Sequence, residues 1–132
     1  MTAAAVIAAN RDKMHLIASI SQNPGLIKGP VTSGKFSKVY AVIDNDATKN
    51  FSFEDERLIL LSIDNSMHVK ALSEALKSVL AQKLKEDRIF DLDMAVYISA
   101  GKGPENSALL SAVMKLGYGI RLVDFDNGMI EL

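Results

Sequence analysis

The sequence contains no cysteine, and this absence excludes several kinds of chemistry. Disulfide bonds, thiolate nucleophiles and the usual cysteine-based structural zinc sites cannot form, and the composition is compatible with a reducing compartment. His15 and His68 are the only histidines and lie far apart in the chain, so no conventional zinc ligand set is evident.

The chain also lacks an excess of charge and a long apolar run. Fifteen basic and sixteen acidic residues give a net charge of -1, which provides no overall field to attract nucleic acid or an anionic membrane. No segment reaches the roughly 20 apolar residues that span a bilayer. Residues 1–10 are apolar but too short for a signal-peptide core. We therefore expect a cytoplasmic protein with no membrane partner.

The composition is typical of a folded domain. Of 132 residues, 48% are hydrophobic and 23% are charged, and a chain of this length can bury its own core. Residues 25–36, with three glycines and a proline, are the only linker-like stretch. They are too short to separate two cores, so we predict one domain over residues 1–132, with 25–36 as an irregular connection.

Residues 3–22 fit two structures. The alanines at the start favour a helix, whereas the alternation from Met14 to Ser21 favours a strand. In the second alternative the polar residues 10–13 form the turn of a hairpin. Both alternatives stay open at this point.

From Arg57 onward, strands alternate with amphipathic helices. A nearly continuous apolar run at 57–63 predicts a central strand, and 93–99 and 120–125 predict two more. Apolar residues at helical spacing predict the two principal helices at 66–87 and 104–116. This β-α-β-α-β unit, residues 57–125, implies right-handed crossovers and parallel strands.

The remaining strands complete a mixed sheet. Residues 38–43 predict a strand that joins the sheet antiparallel, because the thirteen residues before Arg57 show no helical pattern. Asp126-Asn127-Gly128 predicts a tight turn before a short strand at 129–132. The predicted fold class is α/β, with α+β as the alternative, on a mainly parallel sheet.

The loop after the strand at 93–99 is the strongest candidate for a binding site. In parallel sheets ligands bind beyond the carboxyl ends of the strands, an edge that Asp64, residues 100–103 and Asp126 are expected to share. The glycines of this loop and the helix beginning at Pro104 favour a bound anion. The predicted anion-binding residues are Gly101, Lys102, Gly103, Asn106 and Ser107. Alternatively, the glycines only let the chain turn.

A second candidate is a divalent metal site. Asp64 with Asp124 or Asp126 would supply oxygen ligands at the same edge. Asp44 is excluded from it, because an antiparallel strand would end at the opposite edge. Asp and Asn also commonly end strands and cap helices, which is the structural alternative.

Residues 93–125 resemble the closing strand-helix-strand of NYN or PIN-type metal-dependent nucleases, in which acidic residues lie between the strand and the helix. Here Ala100-Gly101-Lys102-Gly103 occupies those positions, so no catalytic role is carried over from the resemblance.

Three functions follow as hypotheses. The first is a non-catalytic binding or regulatory module for a small anionic ligand or a protein partner. The second is a metal-dependent hydrolase or nuclease-like enzyme that uses Asp64 with Asp124 or Asp126. The third is a structural subunit of a homo-oligomer that assembles through its sheet edges. We favour binding over catalysis, and the sequence defines no cofactor.

Overall fold

The computed structural model describes residues 14–64 and 66–132. Within these ranges the chain forms six strands and four helices, together with a 3-10 turn at Pro24–Ile27. The strands are β1 (Met14–Ser19), β2 (Phe36–Asp44), β3 (Leu58–Ile63), β4 (Asp93–Tyr97), β5 (Gly119–Phe125) and β6 (Met129–Glu131). The helices are α1 (Lys28–Thr32), α2 (Asn45–Thr48), α3 (Val69–Glu86) and α4 (Gly103–Lys115).

The six strands form one sheet in the order β3-β2-β1-β4-β5-β6. The first five are parallel, and β6 pairs antiparallel with β5. The predicted α/β class and the mixed, mainly parallel sheet are therefore confirmed. Helices α3 and α4 lie in the β3–β4 and β4–β5 connections, as the periodicity predicted.

The predicted antiparallel pairing of residues 38–43 is wrong. These residues belong to β2, which is parallel to β1 and to β3. The β2–β3 connection contains only the short helix α2, yet about a dozen residues are enough for a parallel crossover. Phe51 and Phe53 in this connection pack against the sheet instead of a helical face. A crossover of this kind leaves no helical pattern in the sequence.

The predicted central position of residues 57–63 is also wrong. The strand β3 lies at one edge of the sheet and leaves Leu60 38% exposed, whereas β1 has β2 and β4 on its two sides. The apolar run reflects packing on both faces, because Leu61 joins one apolar cluster and Leu58 packs against the other. The opposite edge is β6. Assembly of copies through these edges stays a prediction, which light scattering would test.

Side chains of the central strands alternate between two apolar clusters, one on each face of the sheet. Ile17 of β1 packs in the cluster that contains the buried residues of α3 and α4. Leu16 and Ala18 pack in the other cluster, with Ile27 of the 3-10 turn and Val31 of α1. The two layers bury β1 completely, apart from Met14 at its start.

Residues 25–36, predicted to be irregular, contain most of the 3-10 turn and all of α1. The strand alternative for residues 14–21 is confirmed by β1, while the rest of that alternative, residues 3–13, lies outside the described residues. The turn before β6 is confirmed, with Asn127 and Gly128 at φ values of 55° and 126°. Within the described ranges, no helix has both the length and the apolar character needed to cross a membrane.

Candidate functional site at the carboxyl edge of the sheet

The carboxyl ends of β1 and β4 lie side by side where the chain changes direction. After β1 the chain moves to the face covered by α1, and after β4 it moves to the face covered by α4. In parallel α/β sheets, the point where neighbouring connections diverge in this way is the usual position of a ligand site. The carbonyl of Ala100 accepts hydrogen bonds from the backbone N–H groups of Gln22 and Asn23, at 2.9 and 3.0 Å. These bonds fix the two loops to each other.

A buried carboxylate connects α4 to β1. Glu105, in the first turn of α4, is 2% exposed and accepts hydrogen bonds from the hydroxyl groups of Ser19 and Ser21. The backbone N–H of Ser21 donates a third bond to Glu105 Oε1 at 3.3 Å. A carboxylate can be buried only when donors of this kind replace water. The oxygens of Glu105 are therefore used within the fold.

Asp44 extends this network to β2 and to the loop after β4. Its backbone N–H donates to Ser21 Oγ at 2.8 Å, and its side chain caps α2 by accepting from the N–H of Ala47 at 2.7 Å. Its Oδ2 lies 3.2 Å from Lys102 Nζ. Because β1 lies between β2 and β4, this ion pair crosses the end of β1. We call Ser19, Ser21, Asp44, Lys102 and Glu105 the carboxyl-edge cluster.

The exclusion of Asp44 from this edge is therefore wrong. It rested on an antiparallel β2, whereas the parallel pairing places Asp44 beside Ile63, immediately before Asp64. The carboxyl ends of neighbouring parallel strands lie at the same edge. Asp44 is thus part of the candidate site that the sequence assigned to other residues.

Two of the five predicted anion-binding residues have roles within the fold. A Cβ at Gly101 would lie 2.0 Å from Ser19 Oγ and 2.2 Å from Asn106 Oδ1, so only glycine fits there. The Asn106 amide donates from Nδ2 to the carbonyl of Ile98 at 3.1 Å. Its Oδ1 is buried and has no hydrogen-bond partner in the described part of the chain. Close packing against Ser19 and Asn106 therefore accounts for glycine at position 101 without a ligand.

The other three predicted residues are exposed at the start of α4. The Lys102 side chain is 45% exposed, and Gly103 and Ser107 are also accessible. No neighbouring atom lies within 4 Å of a Cβ built on Gly103, so packing does not require glycine there. The backbone N–H groups in the first turn of a helix have no partner within that helix and carry partial positive charge. They lie at the same end of α4 as Lys102.

The charges of the cluster partly cancel. Lys102 contributes one positive charge, while Asp44 and Glu105 each contribute a negative charge when ionised. The Glu105 carboxylate is held away from solvent by the serines, but the Asp44 carboxylate contacts the ammonium directly. An anion that approaches Lys102 must therefore compete with Asp44.

The structure does not bring Asp64 together with Asp124 or Asp126. Three strands separate β3 from β5, which corresponds to roughly 19 Å at the usual strand spacing. Asp64 instead accepts hydrogen bonds from the hydroxyl and the N–H of Ser66, and these lower its pKa. Within residues 14–64 and 66–132, no group of three or more His, Asp or Glu side chains is placed to hold a metal ion.

The sequence reasoning did not identify Ser19, Ser21 or Glu105. Two serines spaced by two residues at the end of an apolar strand point to the same side, which is a usable signal for a polar contact. An acidic residue in the first turn of a predicted helix is also favoured by the helix dipole. Neither pattern predicts that the serines contact Glu105, because 84 positions separate Ser21 from Glu105 in the sequence.

Comparison with known proteins provides no relative from which a function could be inferred. No protein-family model matches the chain, and no curated protein matches its sequence. The α/β fold and the carboxyl-edge cluster are therefore the basis for a functional proposal.

Proposed function

We propose that the chain is a non-catalytic binding module that recognises a small anionic ligand at the carboxyl edge of its sheet. The observation that carries the proposal is the 45% exposed side chain of Lys102 at the start of α4, where the connections after β1 and β4 diverge. The charge of Lys102 and the N–H groups of the first turn favour the same kind of ligand. Phosphate and carboxylate groups both fit this description.

Because Asp44 and Lys102 form an ion pair, replacing one or the other should change the anion affinity in opposite directions. Replacing Lys102 by alanine removes the cation and should weaken anion binding about two- to fivefold, as expected for an exposed charge. Asp44→Asn removes the competing negative charge and should strengthen binding about two- to fivefold. Asparagine is as good a helix N-cap as aspartate, so the cap on α2 is preserved.

The binding assay starts with a thermal-shift screen of inorganic phosphate, pyrophosphate and phosphorylated metabolites, followed by calorimetry at low salt with the most stabilising anion. Lys85→Ala is the matched control, because it removes a lysine from the exposed side of α3 with the same change in net charge. The affinity should fall as salt is added. Circular dichroism verifies that each variant is folded.

Equal anion affinities of the wild type and Lys102→Ala would contradict the proposal. A loss of affinity in the folded Asp44→Asn variant would also contradict it, because that result would mean that the carboxylate contributes to binding. If Lys85→Ala lost as much anion affinity as Lys102→Ala, the effect would reflect the overall charge of the protein and not a site at Lys102.

A further inference from the structure

A groove of about 340 Å³ lies next to the carboxyl-edge cluster. One wall comes from the chain that follows β1 and includes Lys28, and the other comes from residues 47–53, which follow β2. The volume lies within the range of small-molecule sites. The groove therefore has the size of a small-molecule site and is formed by the segments that follow β1 and β2.

Two phenylalanines give this groove a fixed aromatic wall. Phe51 and Phe53 are partly buried and pack against the apolar cluster that covers this face of the sheet. Side chains held in this way can stack on a flat ring without a large loss of conformational freedom. Lys28 Nζ lies over the Phe53 ring, 5.8 Å from its centre, so a cation lines the groove together with the aromatic side chains.

The polar side chains of the groove have unused hydrogen-bonding capacity. Within the described ranges, no carboxylate lies at ion-pair distance from Lys28, and the side chains of Asn50 and Ser52 make no hydrogen bond. An amide and a hydroxyl can both donate and accept, which suits the polar edge of a heteroaromatic ring.

The groove and Lys102 are linked through a single residue. One oxygen of Asp44 contacts Lys102, and the other accepts from the N–H of Ala47, which lines the groove. We infer that the groove holds the planar heteroaromatic ring of a ligand whose phosphate is bound at Lys102, so the ligand belongs to the chemical class of nucleoside monophosphates. This inference rests on the proposed function, because the phosphate is assigned to the site proposed there.

The test compares AMP and CMP with ribose 5-phosphate and inorganic phosphate by calorimetry. Base stacking predicts that AMP and CMP bind the wild type about fivefold or more tightly than ribose 5-phosphate. Phe51→Leu should remove most of this preference and leave the affinity for ribose 5-phosphate unchanged. Phe90→Leu is the matched control, because Phe90 is 79% exposed and precedes the amino-terminal end of β4, whereas the groove follows the carboxyl ends of β1 and β2.

A second variant keeps the test informative if Phe51→Leu does not fold. Asn50 is exposed, so Asn50→Ala should fold and should weaken AMP binding without affecting ribose 5-phosphate. AMP should also shift the backbone amide NMR signals of residues 50–53 more than ribose 5-phosphate does. Unchanged signals there in the presence of saturating AMP would overturn the inference.

The outcomes separate this inference from the proposed function. If AMP and ribose 5-phosphate bind equally and both depend on Lys102, the groove does not hold the ring and the anion site stands. If none of the four compounds binds the wild type, the inference is overturned, and the thermal-shift screen of other anions decides the proposed function on its own.

Discussion

Replacing Glu105 by alanine is the perturbation whose effect on stability the structure specifies most fully. The Glu105 carboxylate accepts two serine hydroxyls and one backbone N–H, and its side chain lies between α4 and β1. Truncation leaves all three donors in the interior without this acceptor. The variant therefore tests whether the carboxyl-edge cluster contributes to the stability of the fold.

The magnitude follows from two opposing contributions. Each hydrogen bond to a charged group contributes about 1.5–3 kcal/mol, while burying the carboxylate costs several kcal/mol. Truncation leaves three neutral buried donors unsatisfied at about 1–3 kcal/mol each, and relief of the carboxylate's desolvation cost offsets part of this, which leaves a net loss of about 3–5 kcal/mol. We expect a loss of this size, which is a large part of the roughly 5–15 kcal/mol that stabilises a domain. Glu105→Gln keeps one oxygen acceptor and should cost about 1–2 kcal/mol.

Urea unfolding followed by far-UV circular dichroism is the suitable assay, because the chain contains no tryptophan. With the slope usual for a small domain, the midpoint of Glu105→Ala should fall by about 2 M. Glu86→Ala is the control, since this exposed glutamate on α3 makes only solvent-exposed contacts, a 3.8 Å ion pair with Lys83 and a 3.0 Å hydrogen bond from the side chain of Gln82. Its unfolding free energy should stay within about 0.5 kcal/mol of the wild type.

A double-mutant cycle with Ser21→Ala then isolates the contact itself. Ser21 Oγ donates to Glu105 and accepts from the N–H of Asp44, so the two substitutions should be coupled by about 0.5–3 kcal/mol. Unfolding of Glu105→Ala at the wild-type urea concentration would refute a stabilising role of the carboxyl-edge cluster. Simple addition of the free-energy losses of the two single variants would refute the direct contact between Ser21 and Glu105 as its source.

Two further predictions concern the loop and the tyrosines. Gly101→Ala should reduce the free energy of unfolding by about 1–3 kcal/mol, because the added Cβ overpacks against Ser19. Gly103→Ala is the control, because its Cβ meets open space and should leave the stability unchanged. Equal urea midpoints of the two variants would contradict this prediction. Burial raises the pKa of all three tyrosines, and in Tyr40 the hydrogen bond to Asp87 adds to it. Their stabilising effect is complete below the unfolded pKa of about 10 and is lost as the pH rises above it. Near-UV absorbance should therefore show little tyrosinate at pH 10 in the folded protein and about half ionisation in urea, and half ionisation in both would contradict the prediction.

The sequence alone determined the elements that depend on local patterns. The spacing of apolar residues in α3 identifies a helix because residues three and four apart share one face of it. The turn at Asn127 and Gly128 is a local preference for positive φ, which these residue types adopt more readily than others. The strand-helix alternation after Arg57 then implied parallel pairing, and the structure confirms it.

The order and direction of the strands were decided only by tertiary packing. The crossover from β2 to β3 covers the sheet with Phe51 and Phe53 rather than with a long helix. The sequence of this crossover therefore has no helical periodicity from which it could be predicted. An apolar run such as β3 is compatible with the centre of a sheet and with a covered edge, because both bury two faces. The amino-acid sequence of one strand does not show which other strands pair with it.

The candidate site shows the same division most clearly. The sequence identified the loop with Lys102 because glycines, a lysine and a helix start are adjacent in the chain. It did not identify the partners of that loop, since Asp44 precedes Lys102 by 58 positions and Ser21 precedes Glu105 by 84. These contacts exist because β1 lies between β2 and β4, which brings the ends of three strands and the start of α4 to one place. Local chemistry thus determined one residue of the cluster, and the strand order determined what surrounds it.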